Sequence, residues 1–281
     1  MEHHPSQQVT TSDLASAGGA LTTKSISIVL PAYNEEMVIA DTVAACLRAA
    51  DRYCPSVAVI VVDDGSRDRT GAIVDALAKN DSRVVPVHHP TNRGYGAAVL
   101  SGFATARTEL LFFMDGDGQF DIDDIAKLLR VEEAAAPGTV VLGYRERRRD
   151  TALRRLNAWG WKQVVSLMLG LRGIRDIDCA FKLFPTAMVQ ACDVTAQGAM
   201  VNTELLLKLQ RMGVHMVQVP VRHLPRVHGK ATGANLRVIA NAFRELPHLR
   251  RRMRDWRAPH RAIPACASAP AAPVKPGSSD I

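Results

Sequence analysis

Short runs of apolar residues, many of them β-branched, alternate along the chain with stretches of helical periodicity. Five of these runs predict buried strands, at residues 25–30, 57–62, 83–88, 109–114 and 139–144. The stretches between them predict helices, at residues 35–50, 68–79, 95–107 and 121–135. Apolar strands in repeated β-α order predict an α/β fold, with a mainly parallel sheet that carries helices on both faces.

The two ends of the chain lack this pattern. Residues 1–23 are small and polar, and residues 258–281 are rich in alanine and proline, so we expect both segments to be disordered. Between them we predict one domain over residues 24–234, followed by an arginine-rich basic helix over residues 235–257.

Composition narrows the class of protein. The chain has 281 residues and a net charge of +7, which favours an anionic partner such as a nucleotide or a phospholipid surface. An aromatic content of 5% and the lack of a nucleic-acid-binding motif argue against nucleic acid. Five cysteines without a CxxC pair indicate reduced thiols. With no signal peptide and no run of about 18 apolar residues, we expect a cytoplasmic protein that is soluble or lies on a membrane surface.

Polar residues follow each predicted strand, and ligands of parallel α/β sheets bind at these carboxyl ends. Asp63 and Asp64 close the second strand, where an Asp-Gly-Ser turn and a nucleotide contact are equally good explanations. Gly94 and Gly96 at the start of the next helix would allow close approach of a phosphate. For Gly102 we expect close packing of that helix on the sheet.

The segment MDGDGQFDIDD ends the fourth strand on clustered negative charge. Asp115 and Asp117 precede the helix and repel each other unless a cation lies between them, so they predict a Mg²⁺ or Mn²⁺ site shared with substrate phosphates. The three later acids of the segment are expected only to start the helix, and they are Asp121, Asp123 and Asp124.

Six motifs in order carry a family resemblance: SIVLPAYNEE, VVDDGSRDRT, NRGYGAAVLSGF, MDGDGQ, DCAFKLF and PVRHLPRVHGK. Together they resemble the family 2 inverting glycosyltransferases, and within them the dolichyl- or polyprenyl-phosphate mannosyl- and glucosyltransferases. The resemblance covers roughly residues 25–235. It implies a GT-A nucleotide-diphospho-sugar transferase fold, a nucleotide-sugar donor, a divalent metal and a polyprenyl phosphate acceptor.

The resemblance also implies roles for individual residues. Asp115, Asp117 and Gln119 would hold the metal and, with Gly116, the donor diphosphate. Arg145 would face the sugar phosphate, and Arg226 with Gly229 would close over the donor. The nucleoside pocket would be lined by Pro31, Ala32, Tyr33, Glu35, Val62 and Asp64. Asp117, Arg145 and Arg226 are the residues expected to act in catalysis.

Two departures from the family pattern stand out. Ala180 replaces the usual glycine before Phe181 and Lys182, which reduces backbone freedom. The late element continues with Ala231 and Thr232 in place of Ser-Lys, so Lys230 is expected to take over the cationic role at the donor.

The acceptor side is basic and then apolar. Arg145, Arg154 and Arg155 are expected to bind the acceptor phosphate, and residues 151–171 predict an amphipathic helix that lies either at a membrane interface or in the core. GDP-mannose is the favoured donor and UDP-glucose the alternative. With a soluble or glycan hydroxyl acceptor a base would be required, and Asp176 or Asp178 would supply it. A non-catalytic nucleotide-sugar-binding adaptor at the membrane surface is the third possibility, and the sequence does not indicate an oligomeric state.

Overall fold

The computed structural model describes residues 20–146, 160, 163–225 and 236–259. Its seven strands form one sheet in the order β3-β2-β1-β4-β6-β5-β7. The strands are β1 (Ile26–Ala32), β2 (Val57–Asp63), β3 (Val84–His88), β4 (Leu110–Met114), β5 (Val140–Arg145), β6 (Phe181–Pro185) and β7 (Met216–Val221).

Helices occupy most of the remaining described chain. They are α1 (Ile39–Tyr53), α2 (Thr70–Asn80), α3 (Tyr95–Thr105), α4 (Ile125–Ala134), α5 (residues 163–169), α6 (Thr186–Ala191), α7 (Val201–Arg211) and α8 (Leu236–Asp255). A single 3₁₀ turn, Ile122–Asp124, precedes α4.

The predicted α/β architecture is confirmed. Strands β1 to β4 pair in parallel and β5 pairs in parallel with β7, whereas β6 runs antiparallel to both β4 and β5. All seven residues of β1 and all five of β4 are buried, as expected for strands covered on both faces. In this register the carboxyl ends of β1, β2 and β3 meet, with Ala32 opposite Asp63 and Asp63 opposite His88.

Helices cover the sheet on both sides. α1 packs on α2 and β2, and α4 packs on β5, while α3 packs on β1, β2 and α6. The expected close packing at Gly102 is confirmed, because a Cβ atom there would lie 2.2 Å from Val29 Cγ1. Only glycine therefore lets α3 approach the sheet at this depth.

The structure differs from the sequence prediction at several places. Four elements were not predicted: the strands β6 and β7 and the helices α6 and α7. Helix α1 begins at Ile39 rather than at 35, because the backbone N–H groups of Glu35 and Glu36 donate to the side chains of Thr70 and Asp68 in a loop.

The described chain also contacts the domain before residue 24. The Leu21 N–H donates to Tyr53 O at 2.9 Å, and Thr22 is buried against the domain. Residues 1–19 and 260–281, where disorder was expected, lie outside the described residues.

Candidate active site

Asp115 and Asp117 lie in the loop that follows β4, at the carboxyl edge of the sheet. The Gly116 N–H donates to Pro31 O at 3.2 Å, which ties this loop to the end of β1. The Gln119 N–H donates to Asp117 Oδ1 at 3.1 Å, so the turn is closed by one of the two acids itself. The loop is thereby fixed to the sheet on its amino-terminal side and folded on itself on the other.

The two acids repel each other in a half-buried loop. Burial and, after it, the negative charge of Asp117 raise the pKa of Asp115 to about 7, while the Tyr95 hydroxyl, Lys182 and Arg145 act in the opposite direction. The direction of this shift indicates that the nearby positive charge does not balance two carboxylates.

Tyr95, the first residue of α3, holds Asp115 directly. Its hydroxyl donates to Asp115 Oδ1 at 2.9 Å, while the ring remains 37% exposed at the site. Burial of the hydroxyl and the charge of Asp115 raise the pKa of Tyr95 well above its usual value, and a hydrogen bond from the buried Asn202 side chain acts against that rise. The buried Asn202 of α7 thus lies beside the hydroxyl that donates to Asp115.

The donor set fits a divalent cation that is shared with a substrate. No group of three or more His, Cys, Asp or Glu side chains capable of holding a metal occurs among the described residues. Two carboxylates with excess negative charge leave most of the coordination sphere to other oxygen atoms, which is the arrangement Mg²⁺ or Mn²⁺ adopts with substrate phosphates and water.

Asp64 serves as an anchor for the loop between β3 and α3. Its carboxylate accepts hydrogen bonds from the backbone N–H groups of Arg93 and Gly94, both at 2.9 Å, and lies 2.6 Å from His89 Nδ1. His89 Nε2 in turn lies 2.9 Å from Ser101 Oγ. The carboxylate is 4% exposed. It therefore fixes the position of the glycines that open α3; a contact of Asp64 with the nucleoside stays a prediction.

The neighbouring Asp63 forms the predicted turn. The Ser66 N–H donates to Asp63 Oδ1 at 3.0 Å, and Gly65 between them has a φ of +67°. A Cβ atom on Gly65 would lie 2.4 Å from the Thr91 carbonyl carbon. Backbone conformation and space both require glycine at this turn.

The predicted nucleoside-binding residues divide into two groups. Tyr33 is 36% exposed and Glu35 is half-buried, so both line the open edge of the sheet. Pro31 and Ala32 are buried at the end of β1, and Val62 is fully buried against α3. The roles of all five stay predictions.

Arg145 ends β5 and pairs with Asp176. Arg145 Nε donates to Asp176 Oδ2 at 2.7 Å and Nη2 donates to Oδ1 at 2.9 Å, in a bidentate ion pair whose side chains are 17% and 6% exposed. Arginine carries five N–H donors, so this pair leaves others for a ligand. Asp178, two residues after Asp176, is exposed.

Lys182 is a fully buried lysine behind the site. It lies on β6 opposite Phe113 of β4, and its Nζ donates to Ile177 O at 3.2 Å and to Cys179 O. Burial lowers the pKa of Lys182, and nearby acids including Asp176 and Asp115 oppose that shift. Lys182 therefore holds the loop that carries Asp176 and Asp178 through these two hydrogen bonds.

The chain that follows β7 and leads to Arg226 and Lys230 starts beside the loop of the acid pair. The Leu224 N–H donates to Gln119 O at 2.7 Å, Gln119 Nε2 donates to Leu224 O at 3.4 Å, and Phe120 forms a β-bridge with His223. Arg226 and Lys230 follow this anchor in the sequence, but both lie outside the described residues, as do Arg154 and Arg155. Their predicted roles are untested, and so is Gln119 as a metal ligand.

The later acids of the segment behave largely as predicted. The Asp121 side chain accepts from the Asp123 N–H at 3.1 Å and caps the 3₁₀ turn. Asp124, which is 1% exposed, also accepts from the Arg222 N–H at 2.6 Å and from Arg222 Nε at 3.0 Å. It therefore ties the end of β7 to the start of α4, in addition to charging the helix start.

Sequence reasoning missed Tyr95, Asn202 and the pairing of Asp176 with Arg145. Tyr95 stands between Gly94 and Gly96, a position read only as a phosphate loop. Nothing in the sequence indicates that α7 would bring Asn202 to the same place. Arg145 and Asp176 are 31 residues apart and meet only because β5 and β6 are neighbours.

Known proteins share this chain's sequence pattern. The family described as Glycosyl transferase family 2 matches residues 27–190. A dolichyl-phosphate β-glucosyltransferase of Trichomonas vaginalis is 31% identical over 212 residues, covering 70% of this chain and 64% of the relative. The undecaprenyl-phosphate 4-deoxy-4-formamido-L-arabinose transferase of Pseudomonas paraeruginosa is 30% identical over 78% of this chain and 63% of its own length. The chain thus spans less than two thirds of these two relatives. The polyprenol monophosphomannose synthase of Mycolicibacterium smegmatis is 29% identical, over 75% of this chain and 82% of that protein.

Solved structures share the fold at low identity. Mannosyl-3-phosphoglycerate synthase from Rubrobacter xylanophilus aligns with a TM-score of 0.64 and 17% identity, over 86% of this chain and 79% of its own. Glucosyl-3-phosphoglycerate synthase from Mycobacterium tuberculosis, solved with Mn²⁺, UDP and glucosyl-3-phosphoglycerate, aligns with a TM-score of 0.62 and 20% identity, over 80% and 78%. The GT-A fold expected from the sequence is confirmed by these likenesses.

Proposed function

Because the chain belongs to glycosyl transferase family 2, we propose that it transfers a hexose from a nucleoside-diphosphate sugar to a polyprenyl phosphate, with inversion at the anomeric carbon. Mannose from GDP-mannose is the favoured sugar, and glucose from UDP-glucose is the alternative. Relatives named for dolichyl, undecaprenyl and polyprenol phosphates support the acceptor class.

The observation that carries the proposal is the acid pair at the end of β4. Asp115 and Asp117 hold excess negative charge in a half-buried loop, with the pKa of Asp115 raised to about 7 by burial and by Asp117. Such a pair binds a cation together with an anionic ligand more readily than either one alone, because each reduces the other's charge. A nucleoside diphosphate with Mn²⁺ or Mg²⁺ matches this requirement.

Each site residue is proposed to have a separate role in the transfer. Asp115, Asp117 and Gln119 would hold the metal, which when bound supplies positive charge that stabilises the departing diphosphate. Tyr95 holds Asp115 in place through its hydroxyl. Asp176 orients Arg145 by the bidentate pair, so that the remaining guanidinium N–H groups are available to a phosphate or a sugar hydroxyl. Arg226 and Lys230 are proposed to add cationic charge at the donor.

A phosphate acceptor suits the arrangement of carboxylates. A lipid phosphate is already anionic and needs no general base, whereas a hydroxyl acceptor does. Both oxygens of Asp176 accept from Arg145, which makes that carboxylate a poor base. The hydroxyl-acceptor alternative would therefore depend on Asp178, which is exposed.

We also propose that the protein works at the surface of a membrane, on its cytoplasmic side, because its acceptor would reside there. Within the described parts of the chain, no helix has the length and apolar character needed to cross a bilayer. In the part of the predicted amphipathic helix that is described, Val165 and Leu169 are buried while Leu167 is 89% exposed. This described part thus packs on the domain and exposes the large apolar side chain of Leu167.

Donor identity and turnover test the proposal. The purified chain is screened by thermal shift with GDP- and UDP-sugars, with and without Mn²⁺, and the stabilising donor is then incubated with a short polyprenyl phosphate. We expect metal-dependent stabilisation by one donor and formation of a polyprenyl-phosphate sugar, detected by mass spectrometry. The Asp117→Ala variant should form no product while keeping the wild-type circular dichroism spectrum.

Two outcomes would contradict the proposal. Full turnover in excess chelator would exclude the role given to the acid pair. Donor binding without transfer to any acceptor, lipid or soluble, would favour a nucleotide-sugar-binding adaptor instead.

A further inference from the structure

Helix α8 is docked on the domain by its apolar face. Leu246, Leu249 and Met253 are each at most 1% exposed. Arg252 Nη2 lies 3.3 Å from Glu204 Oε2 of α7, and the ring of Trp256 lies 5.5 Å from Lys208 Nζ. From residue 244 onward, α8 thus packs on the domain by these apolar side chains, and its arginines lie on the other side.

That polar side is strongly basic. Residues 244–259 contain six arginines and two acidic residues. Arg250 and Arg251 are exposed, and neither has an acidic partner among the described residues. Arg254 pairs with Asp255 at 3.1 Å, but both side chains are largely exposed, which makes the pair weak. The positive charge here is therefore mostly uncompensated.

A cavity of about 700 Å³ lies between α8 and α5. Its apolar part is formed by Met168, Leu169 and Met253, and its basic part by four arginines, Arg211, Arg250, Arg251 and Arg254. Among the described residues that line it, none is acidic. We call this cavity the α5–α8 groove.

The groove has the chemistry of a site for an anionic amphiphile. Arginines that are only solvated do not need apolar side chains beside them. A protein surface that binds nucleic acid would be expected to add aromatic rings that stack on bases. Leu167, which is 89% exposed, precedes Met168 in α5 and adds a large apolar side chain at the surface. Apolar and basic groups side by side match the boundary between headgroups and acyl chains in a bilayer.

We propose that the α5–α8 groove binds the phosphate headgroup of an anionic phospholipid and docks the protein on negatively charged bilayers. The described residues that line the groove include neither the acid pair nor Arg145. It deepens the membrane-surface role proposed above by naming the lipid class and the residues. It does not depend on which sugar is transferred.

Vesicle co-sedimentation of the full chain tests the site. Vesicles of phosphatidylcholine alone are compared with vesicles that also contain phosphatidylglycerol, without donor, metal or polyprenyl phosphate. We expect binding only to the anionic vesicles, and weaker binding at higher salt, because the Debye length is only about 8 Å at physiological ionic strength.

A pair of matched variants locates the effect. Each arginine near an anionic surface contributes about 1 kcal/mol, so Arg250→Gln with Arg251→Gln should weaken partitioning by about 30-fold. The control, Arg48→Gln with Lys79→Gln, removes the same charge from exposed positions on α1 and α2, and should change partitioning by less than about threefold. Thermal unfolding followed by circular dichroism checks that both variants fold.

Three results would overturn the proposal. They are equal binding of the wild type to neutral and anionic vesicles, equal loss in the two double variants, and displacement of anionic vesicles by single-stranded RNA at matched phosphate concentration. Since these vesicles contain no acceptor, failure here leaves the transferase proposal intact, and failure of turnover leaves vesicle binding intact.

Discussion

Removal of the Tyr95 hydroxyl tests whether the acid pair is held ready for a metal ion. In the structure this hydroxyl donates to Asp115 Oδ1 at 2.9 Å, and the buried Asn202 side chain lies beside it. The Tyr95→Phe substitution removes the hydrogen bond but keeps the ring, which is 37% exposed and therefore tolerant of the change. Asp115 would then be free to rotate.

The expected size of the effect follows from the type of hydrogen bond. A hydrogen bond to a charged group contributes about 1.5–3 kcal/mol, and each 1.4 kcal/mol corresponds to about tenfold in affinity. Partners that orient a metal ligand typically change metal affinity by about 10- to 100-fold when removed. We therefore expect Tyr95→Phe to raise the Mn²⁺ dissociation constant by about 10- to 100-fold.

The assay counts free Mn²⁺ by electron paramagnetic resonance while the purified chain is titrated in the presence of nucleoside diphosphate. Tyr53→Phe is the matched control, since Tyr53 lies at the end of α1, away from the acid pair. Asn202→Ala should have a smaller effect in the same direction, because it acts on Asp115 only through Tyr95.

Two results would contradict this prediction. If Tyr95→Phe binds Mn²⁺ as the wild type does while Asp115→Asn does not bind it, the metal site forms without the hydroxyl. If Tyr53→Phe weakens binding as much as Tyr95→Phe, the effect is a general loss of stability.

Three further predictions concern stability. Lys182→Met leaves two buried carbonyls without their donor and should lower the free energy of unfolding by about 2–5 kcal/mol in urea titrations. Gly102→Ala places a Cβ atom 2.2 Å from Val29 Cγ1, so overpacking should cost about 1–3 kcal/mol in the same titrations. Burial opposes the charged form of His88, but Asp75 and Asp63 raise the pKa of His88 overall. The charged imidazole therefore stabilises the fold below about pH 6.5, and this contribution is lost as the pH rises through the raised pKa. The difference in Tm between wild type and His88→Gln should therefore shrink between pH 6 and pH 8.5, values that bracket this change.

Controls separate these effects from general damage. Lys79→Met on the exposed side of α2 should leave stability within about 0.5 kcal/mol of wild type. An Lys182→Met variant as stable as wild type would show that the buried ammonium is not needed. A Gly102→Ala variant without loss would mean that α3 can shift from the sheet. A His88→Gln difference that grows with pH would contradict the assigned sign.

Much of the fold could be predicted because its amino-terminal half is locally encoded. The strands β1 to β5 are apolar runs, and each begins and ends within two residues of its predicted boundary. The strands β6 and β7 were not predicted, although the first has the sequence FKLFP with a lysine at its second position. That lysine is buried only because loop carbonyls of Ile177 and Cys179 surround its ammonium group. Tertiary contacts of this kind leave no periodic pattern.

The candidate site, like the fold, could be predicted only in part. Asp115 and Asp117 stand out because two acids separated by one glycine at the end of an apolar strand predict a cation site. The residues that position them come from other segments: Tyr95 from α3 and Asn202 from α7. The contacts of Asp64 with His89, Arg93 and Gly94 likewise come from another segment and were not predicted. The predicted contact of Asp64 with the nucleoside stays a prediction.

The most direct test of transfer to a lipid phosphate compares two acceptors that differ only in a phosphate group. The wild-type chain is incubated with the stabilising nucleotide sugar, Mn²⁺ and either a short polyprenyl phosphate or the corresponding polyprenol, and the products are separated by mass. Asp178→Asn is assayed in parallel. We expect a sugar-phosphate-lipid product from the polyprenyl phosphate and none from the polyprenol. The Asp178→Asn variant should retain this activity. Transfer to the alcohol or to a soluble hydroxyl acceptor, abolished by Asp178→Asn, would contradict it.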